Sequence, residues 1–265
     1  MHTRKIIFTA KHQLIALVLI AIGLNLNTLF NEYALDDIVV MTENRFVQKG
    51  INGIPEILST DYIQGYSTKE NVLTGARYRP LSLILFALEY EFFGANPFVS
   101  HLINILLFAL LIVFLFILLQ EYIFRGRNDN LVFISCLLYV VHPIHSEVIA
   151  NVKSRDELIT FLLLIISLIA FLKYTEQNKI RLLLSGLICF FLALLTKESA
   201  VTFLGVVPLI LYFFFNQSVN KSIQKVIPFV LVFIGYMIIR FLTVGFEHYP
   251  VNDVTNAPYL YATSS

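Results

Sequence analysis

The amino-acid sequence predicts an all-α integral membrane protein with about seven transmembrane helices. Of its 265 residues, 57% are hydrophobic and only 14% are charged, whereas about 25% of the residues in a soluble globular domain are charged. Apolar runs recur along the chain, and several approach the length of about 20 residues that crosses a bilayer. The charges between these runs gather at one set of helix ends, which indicates a recessed polar site on one side of the membrane.

The predicted helices follow one another between residues 13 and 244. Residues 13–30 come after a basic amino terminus and form a longer apolar run than a signal peptide carries, so we expect an uncleaved first helix. The further runs cover residues 98–119, 131–141 with an extension to 150, 158–172, 182–195, 199–215 and 226–244. Residues 31–97 form the one long polar segment. There we expect short amphipathic helices near residues 52–58 and 81–93, lying along the membrane.

The loop charges predict the orientation. Lys and Arg in short loops favour the cytoplasm, and residues 125–127, 173–181 and 221–225 carry such charges on the side of the basic amino terminus. We therefore expect a multi-pass protein whose amino terminus is cytoplasmic. Residues 31–97 and the turns 142–156 and 196–199 then face outside. The membrane would be the cytoplasmic membrane of a bacterium, or the endoplasmic reticulum membrane of a eukaryote.

The outer turn that follows residue 195 is expected to lie below the membrane surface. Residues 182–195 would rise only about 21 Å as an α-helix, which is less than a hydrocarbon core of about 30 Å. Charged side chains at this depth must face a cavity or one another. The sequence thus places Lys197 and Glu198 within a recessed outer site.

Short motifs at these outer helix ends carry a family resemblance. They lie at residues 36–37, 77–82, 94–97, 101–104, 142–148, 154–158 and 196–200. Their order and spacing resemble those of the transmembrane O-mannosyltransferases of the cadherin-targeting type and their bacterial relatives, within the GT-C glycosyltransferases. The resemblance implies a GT-C-like bundle. Because that family continues with further helices and often with tetratricopeptide repeats, we expect residues 1–265 to form a single domain, the amino-terminal catalytic part of a longer architecture.

The resemblance also implies a reaction. A hexose, expected to be mannose, would move from a polyprenyl-phosphate donor to a Ser or Thr hydroxyl of a protein on the outer side. This transfer needs a base for the hydroxyl proton and a charge partner for the departing phosphate. Asp36 and Asp37 are the candidate bases, with a preference for Asp36 because its place matches the first acid of the family motif. The alternative for this pair is a solvated helix cap.

Basic residues on the outer side are the candidates for binding the donor. Arg79 and Arg155 are the expected phosphate ligands, because a guanidinium group matches phosphate oxygens and stays charged. Internal ion pairs with nearby carboxylates are the alternative for both. Lys197 and Glu198 either contact the donor or neutralise each other, and Lys153 is expected to be solvated.

The turn after residue 141 supplies further polar candidates. We expect His142, His145 and Glu147 to form hydrogen bonds with the donor phosphate or with the acidic pair. These residue types also ligate divalent metals, but their spacing does not match a dedicated metal motif. No cofactor is firmly implied, and a metal role stays open.

Two other classes of function remain as alternatives. A non-catalytic membrane scaffold of glycosyltransferase shape would keep the same motifs without the chemistry. A secondary transporter would also bury charges, although its site lies near the midplane of the membrane rather than at helix ends. A nucleic-acid partner is excluded, because the formal net charge is only +1 and nucleic-acid binding requires a basic surface.

Overall fold

The computed structural model describes residues 9–66, 77–126 and 129–245, and this part of the chain is helical with no strand. The α-helices are α1 (Ala10–Gly23), α2 (Ile54–Leu58), α3 (Pro80–Phe93), α4 (Pro97–Ile117), α5 (Asp129–Val141), α6 (Ile144–Ala150), α7 (Arg155–Gln177), α8 (Ile180–Thr196), α9 (Phe203–Phe215), α10 (Val219–Gln224) and α11 (Ile227–Val244). Shorter 3₁₀ and π segments cover Leu26–Phe30, Ile38–Thr42, Val47–Gly53, Leu118–Ile123 and Glu198–Thr202. The predicted all-α membrane fold is confirmed.

Five helical stretches are long and apolar enough to cross a membrane. They are Ala10–Phe30, Pro97–Ile123, Arg155–Gln177, Glu198–Phe215 and Val219–Val244. Helices α5 and α6 form a sixth candidate that bends by 61°, at the place where the sequence predicts an interruption by His142 and Pro143. Helix α8 is apolar but has only 17 residues. Within the described residues the candidates therefore number five or six, and the count of seven stays a prediction.

The membrane-spanning helices share one large apolar core. At its centre the rings of Phe171, Phe190 and Phe203 surround Phe229, with centroids 5.2–5.5 Å from it and planes tilted by 71–84°. Edge-to-face contacts of this kind add to the stabilisation that burial of the rings provides. Because these rings come from α7, α8, α9 and α11, the contacts fix the carboxyl-terminal helices of the described region against the middle of the chain.

Helices α7 and α8 form a close hairpin. The chain turns at Asn178, which adopts a left-handed conformation with φ of 51°, a conformation that Asn tolerates better than most residues. Further along, the Ser167 hydroxyl donates to the carbonyl of Gly186 over 2.7 Å. A Cβ at position 186 would lie 3.1 Å from the Ser167 carbonyl oxygen, so glycine permits this close approach.

The described part of the polar segment at residues 31–97, called the first outer segment after its predicted orientation, packs on the bundle through a second, smaller core. Val40, Met41, Ile57 and Phe86 are buried there, together with Val152 from the turn before α7. The helices predicted near residues 52–58 and 81–93 are present as α2 and α3. Helix α3 buries six of its 14 residues, mostly along one face, and leaves its last three residues exposed. The smaller core therefore joins the segment that carries the acidic pair to the start of α7.

Candidate active site

The two carboxylates of the acidic pair have different surroundings. Asp37 is 1% exposed, and its side chain accepts hydrogen bonds from the backbone N–H groups of Ala34, at 3.1 Å, and Lys153, at 2.8 Å. The Asp36 side chain is 66% exposed, and its Oδ2 lies 4.0 Å from Nζ of Lys153. Asp37 therefore holds two backbone segments together, whereas Asp36 is free to meet a ligand.

The backbone around the pair is firmly held. Leu35, directly before Asp36, has a positive φ of 50°, a conformation that is costly for a branched side chain and often occurs at functional sites. Further on, Asn44 is fully buried, and its Oδ1 accepts hydrogen bonds from the N–H groups of Phe46 and Val47. Gly65 packs so closely against Asn44 that a Cβ there would lie 2.1 Å from Asn44 Oδ1.

A charged cluster forms around the buried carboxylate of Asp156. Arg79 NH1 lies 3.2 Å from Asp156 Oδ2, and Arg79 Nε donates to Glu198 over 2.7 Å. Lys197 Nζ lies 3.6 Å from the other Asp156 oxygen and makes a closer contact with Glu157. The self-neutralising pair of Lys197 with Glu198 is not formed, because each has a different partner. The internal ion pairing that was the alternative for Arg79 is present, and its role as a phosphate ligand stays a prediction.

Arg79 is permanently charged at this position. Burial disfavours its guanidinium, but Glu198 and Asp156 outweigh that cost and raise its pKa. The guanidinium carbon also lies 5.6 Å from the ring centre of Tyr62, within the range of a cation–π interaction. Burial raises the pKa of the Tyr62 phenol, so the Tyr62 side chain beside Arg79 stays neutral.

Arg155, although next to Asp156, belongs to a separate and closed network. The side chain is 2% exposed, Nε donates to Asn104 Oδ1 over 2.8 Å, and NH2 donates to the Ser100 carbonyl over 3.0 Å. NH1 makes a close ion pair with Glu89. Each nitrogen already donates to a protein group, so the internal ion pair that was the alternative for Arg155 is present, and its role as a phosphate ligand stays a prediction.

This closed network extends to the first outer segment. Ser100 Oγ donates to Glu89, and the Tyr33 hydroxyl shares a 2.8 Å hydrogen bond with the same Ser100. Burial raises the pKa of Tyr33 to about 12, so the hydroxyl keeps its proton. The network therefore joins the residues before the acidic pair, α3, α4 and α7 at the same end of the molecule.

The residues predicted from the turn after α5 are divided between two cavities. Glu147 lines a cavity of about 660 Å³ together with Asp37 and Asn151. His145 lines a smaller one of about 220 Å³, and its ring lies 4.1 Å from that of Tyr139. His142 is exposed, and its Nδ1 accepts a hydrogen bond from the N–H of Ile144. The expected proximity of Glu147 to the acidic pair is present at Asp37, but the two histidines face elsewhere.

Sequence reasoning missed several members of the site. Glu89 could have been recognised from the sequence, because a carboxylate inside an otherwise apolar stretch needs a partner. Lys153 was expected to be solvated, but its side chain is only 18% exposed and faces Asp36. Ser100 gave no signal, and Asn104 was noted only as part of the motif at residues 101–104, since small polar residues are common near helix starts. Among the described residues no group of three or more His, Cys, Asp or Glu is placed to hold a metal ion.

Comparisons with known proteins connect the chain to a family of mannosyltransferases. Residues 79–243 match the family described as dolichyl-phosphate-mannose-protein mannosyltransferase. The human protein O-mannosyl-transferase TMTC1 is 28% identical over 205 residues, covering 74% of this chain and 23% of that protein. The human protein O-mannosyl-transferase TMTC4 is 34% identical over 146 residues, covering 48% of this chain and 20% of that protein.

A more distant animal relative covers more of the chain. The protein O-mannosyl-transferase F38B6.6 of Caenorhabditis elegans is 26% identical over 234 residues, or 88% of this chain and 32% of that protein. The chain thus spans between a fifth and a third of the length of these relatives. No solved structure matches the chain significantly.

Proposed function

The chain belongs to the dolichyl-phosphate-mannose-protein mannosyltransferase family, and from that membership we propose that it transfers mannose from a polyprenyl-phosphate donor to a Ser or Thr hydroxyl of a protein. The reaction takes place on the outer, periplasmic or lumenal, side of the membrane. The observation that carries this proposal is the position of Asp36, an exposed carboxylate 4.0 Å from the Lys153 ammonium at one end of an apolar helical bundle.

Asp36 acts as the general base in this proposal. Its exposed carboxylate removes the proton from the acceptor hydroxyl while the hydroxyl oxygen attacks the anomeric carbon of the sugar. The bond between that carbon and the phosphate oxygen breaks, and polyprenyl phosphate leaves with the bonding electrons. Asp37 keeps the loop in place through its two backbone hydrogen bonds, so the two acids have separate tasks.

Arg79 and Lys197 provide positive charge for the donor phosphate. Both are partly accessible, and both are oriented by the buried carboxylate of Asp156. A guanidinium and an ammonium held in place in this way stabilise the negative charge that develops on a leaving phosphate. The donor lipid keeps its chain in the bilayer, because that chain is apolar and the spanning helices α4 and α7 expose apolar side chains.

The cavity beside Asp37 receives the acceptor. Its volume of about 660 Å³ accommodates several residues of an extended peptide, and the Glu147 carboxylate on its wall accepts hydrogen bonds from peptide N–H groups. His145 lines the separate smaller cavity and His142 is exposed, so their contact with the donor phosphate stays a prediction outside this scheme. No metal is required in this scheme.

The donor is tested with purified protein in lipid nanodiscs and a mixture of Ser- and Thr-containing peptides. In separate reactions the protein receives polyprenyl-phosphate mannose or a nucleotide-linked mannose, and mass spectrometry measures addition of hexose. We expect addition only from the lipid donor. Transfer from the nucleotide sugar alone would contradict the mechanism, and a protein that transfers from neither donor would favour a scaffold. Solute flux into vesicles would favour a transporter.

The orientation is tested by labelling single cysteines from one side. Cys136 and Cys189 are first replaced by Ala, and Ser59→Cys or Gln177→Cys is then introduced at an exposed position. In intact cells an impermeant maleimide should label position 59 and not position 177. Labelling of position 177 alone would place the site on the cytoplasmic side.

A further inference from the structure

The turn between α6 and α7 is fixed so that one of its side chains faces Asp36. Asn104 donates from its amide to the carbonyls of Ile149 and Asn151, at 3.2 Å each. The backbone N–H of Lys153 donates to Asp37, and Arg155 is locked in its buried network. Three anchors thus determine the path of the turn. They leave the Lys153 side chain pointing toward the exposed member of the acidic pair.

Lys153 differs from Arg79, Arg155 and Lys197 in how far its charge is already used by carboxylates. Arg79 and Arg155 each have a carboxylate oxygen within 3.2 Å, and Lys197 contacts two carboxylates. In the described part of the chain, the nearest carboxylate to the Lys153 ammonium is Asp36 at 4.0 Å. An ammonium group has three N–H donors, so Lys153 retains donors for a ligand that arrives beside Asp36.

We propose that Lys153 binds the phosphate of the lipid-linked donor and exchanges its pairing with Asp36 for that phosphate. This inference rests on the proposed function and identifies a donor-binding residue beyond those that the sequence predicted. The donor phosphate is a diester with one negative charge. When the bond to the sugar breaks, the product is a monoester, which carries about 1.5 to 2 negative charges near neutral pH. The Lys153 ammonium offsets the added charge as it forms.

The movement of Lys153 from Asp36 to the donor phosphate also prepares Asp36 to act as the base. While no donor is bound, Lys153 neutralises part of the Asp36 charge. When the Lys153 ammonium turns to the phosphate, the exposed Asp36 carboxylate no longer has that cation beside it and is free to accept a hydrogen bond from the acceptor hydroxyl. The reaction therefore proceeds with donor binding first. A lysine suits this exchange because its charge sits on a flexible stem.

The test compares Lys153→Met and Lys153→Arg with the unaltered protein, and uses Lys49→Met as the matched control. Lys49 lies in the segment that carries Asp36, and it pairs with Glu56 at an exposed position. The rate of mannose transfer is measured against the concentration of polyprenyl-phosphate mannose, and then with added polyprenyl phosphate as the inhibiting product. Thermal unfolding in detergent reports on folding.

We expect Lys153→Met to raise the donor KM about 10- to 100-fold, the range expected from loss of a charge-assisted hydrogen bond. Inhibition by polyprenyl phosphate should weaken by a larger factor, because the product carries more charge. Lys153→Arg should recover part of both effects, Lys49→Met should change neither, and all variants should unfold at nearly the same temperature.

The inference would be overturned if polyprenyl phosphate inhibited both Lys153 variants as strongly as it inhibits the unaltered protein. A lower unfolding temperature together with an unchanged donor KM, which is the result of a purely structural role, would also overturn it. Phosphatidylglycerol is added in a parallel series, and Lys153-dependent inhibition by that phospholipid alone would assign the residue to membrane lipid instead. Failure of the unaltered protein to use the lipid donor would refute the proposed function, which is a distinct outcome.

Discussion

Two charged networks begin at neighbouring residues of α7 and have opposite access to solvent. The Arg155 network is closed, because both members of its ion pair with Glu89 have side chains only 3% exposed. The Asp156 network is open, since its carboxylate is buried but its outer members, Glu157 and Glu198, are 44% and 30% exposed. Successive residues of an α-helix point about 100° apart. Adjacent charged residues therefore serve different purposes. The number of protein groups that a charged side chain contacts separates the closed network from the open one better than its residue type does.

The closed network should show the largest effect on stability. Replacing Arg155 by Met leaves the Glu89 carboxylate buried without its cation, which costs about 3–5 kcal/mol in the free energy of unfolding. The double variant with Glu89→Leu removes both charges and should recover much of the loss. Thermal unfolding in detergent measures both. A single variant as stable as the unaltered protein would show that this pair does not hold α3 to α7.

The contrast also explains what could be predicted from the sequence. The apolar runs are long and continuous, so the helices, the break after residue 141 and the gathering of charges at helix ends followed from composition and length. The members of the site were recognised by residue type and by the family resemblance. Their pairing could not be predicted, because Glu89 and Arg155 lie 66 positions apart in the chain and meet only when α3 packs against α7.

The two arginines show this limit most clearly. Sequence reasoning gave Arg79 and Arg155 the same role, since both precede an outer helix and both suit phosphate. The structure surrounds Arg155 with Glu89, Asn104 and Ser100, and leaves Arg79 beside the open cluster. Lys153 was missed for the converse reason, because a lysine in an outer turn is usually solvated.

A change in the open network around Asp156 should have a smaller effect, which depends on the shape of the cationic side chain rather than on its charge. Arg79→Lys keeps the positive charge but cannot contact Asp156 and Glu198 with the same fork. We expect donor use, measured as kcat/KM for polyprenyl-phosphate mannose, to fall about 10-fold, as loss of one charge-assisted hydrogen bond predicts. An unaltered kcat/KM would remove Arg79 from the donor site and leave it as a structural residue.

The exposed ion pair at the other end of α7 should show the smallest effect on stability and on transfer. Glu176 lies 3.5 Å from Arg125, and both side chains are about half exposed. Because solvent-exposed pairs contribute only about 0–1 kcal/mol, Glu176→Gln should leave both unfolding temperature and mannose transfer nearly unchanged. A loss of transfer in this variant would mean that the chemistry is not confined to the outer end.

The most direct test of the account compares the two adjacent acids in one transfer assay. Asp36→Asn and Asp37→Asn are purified together with the unaltered protein, and hexose addition from polyprenyl-phosphate mannose is followed beside thermal unfolding. We predict that Asp36→Asn slows transfer about 10²- to 10⁴-fold and unfolds at the normal temperature, whereas Asp37→Asn mainly lowers the unfolding temperature. Transfer at the normal rate by Asp36→Asn would contradict the central claim that the exposed acid is the base.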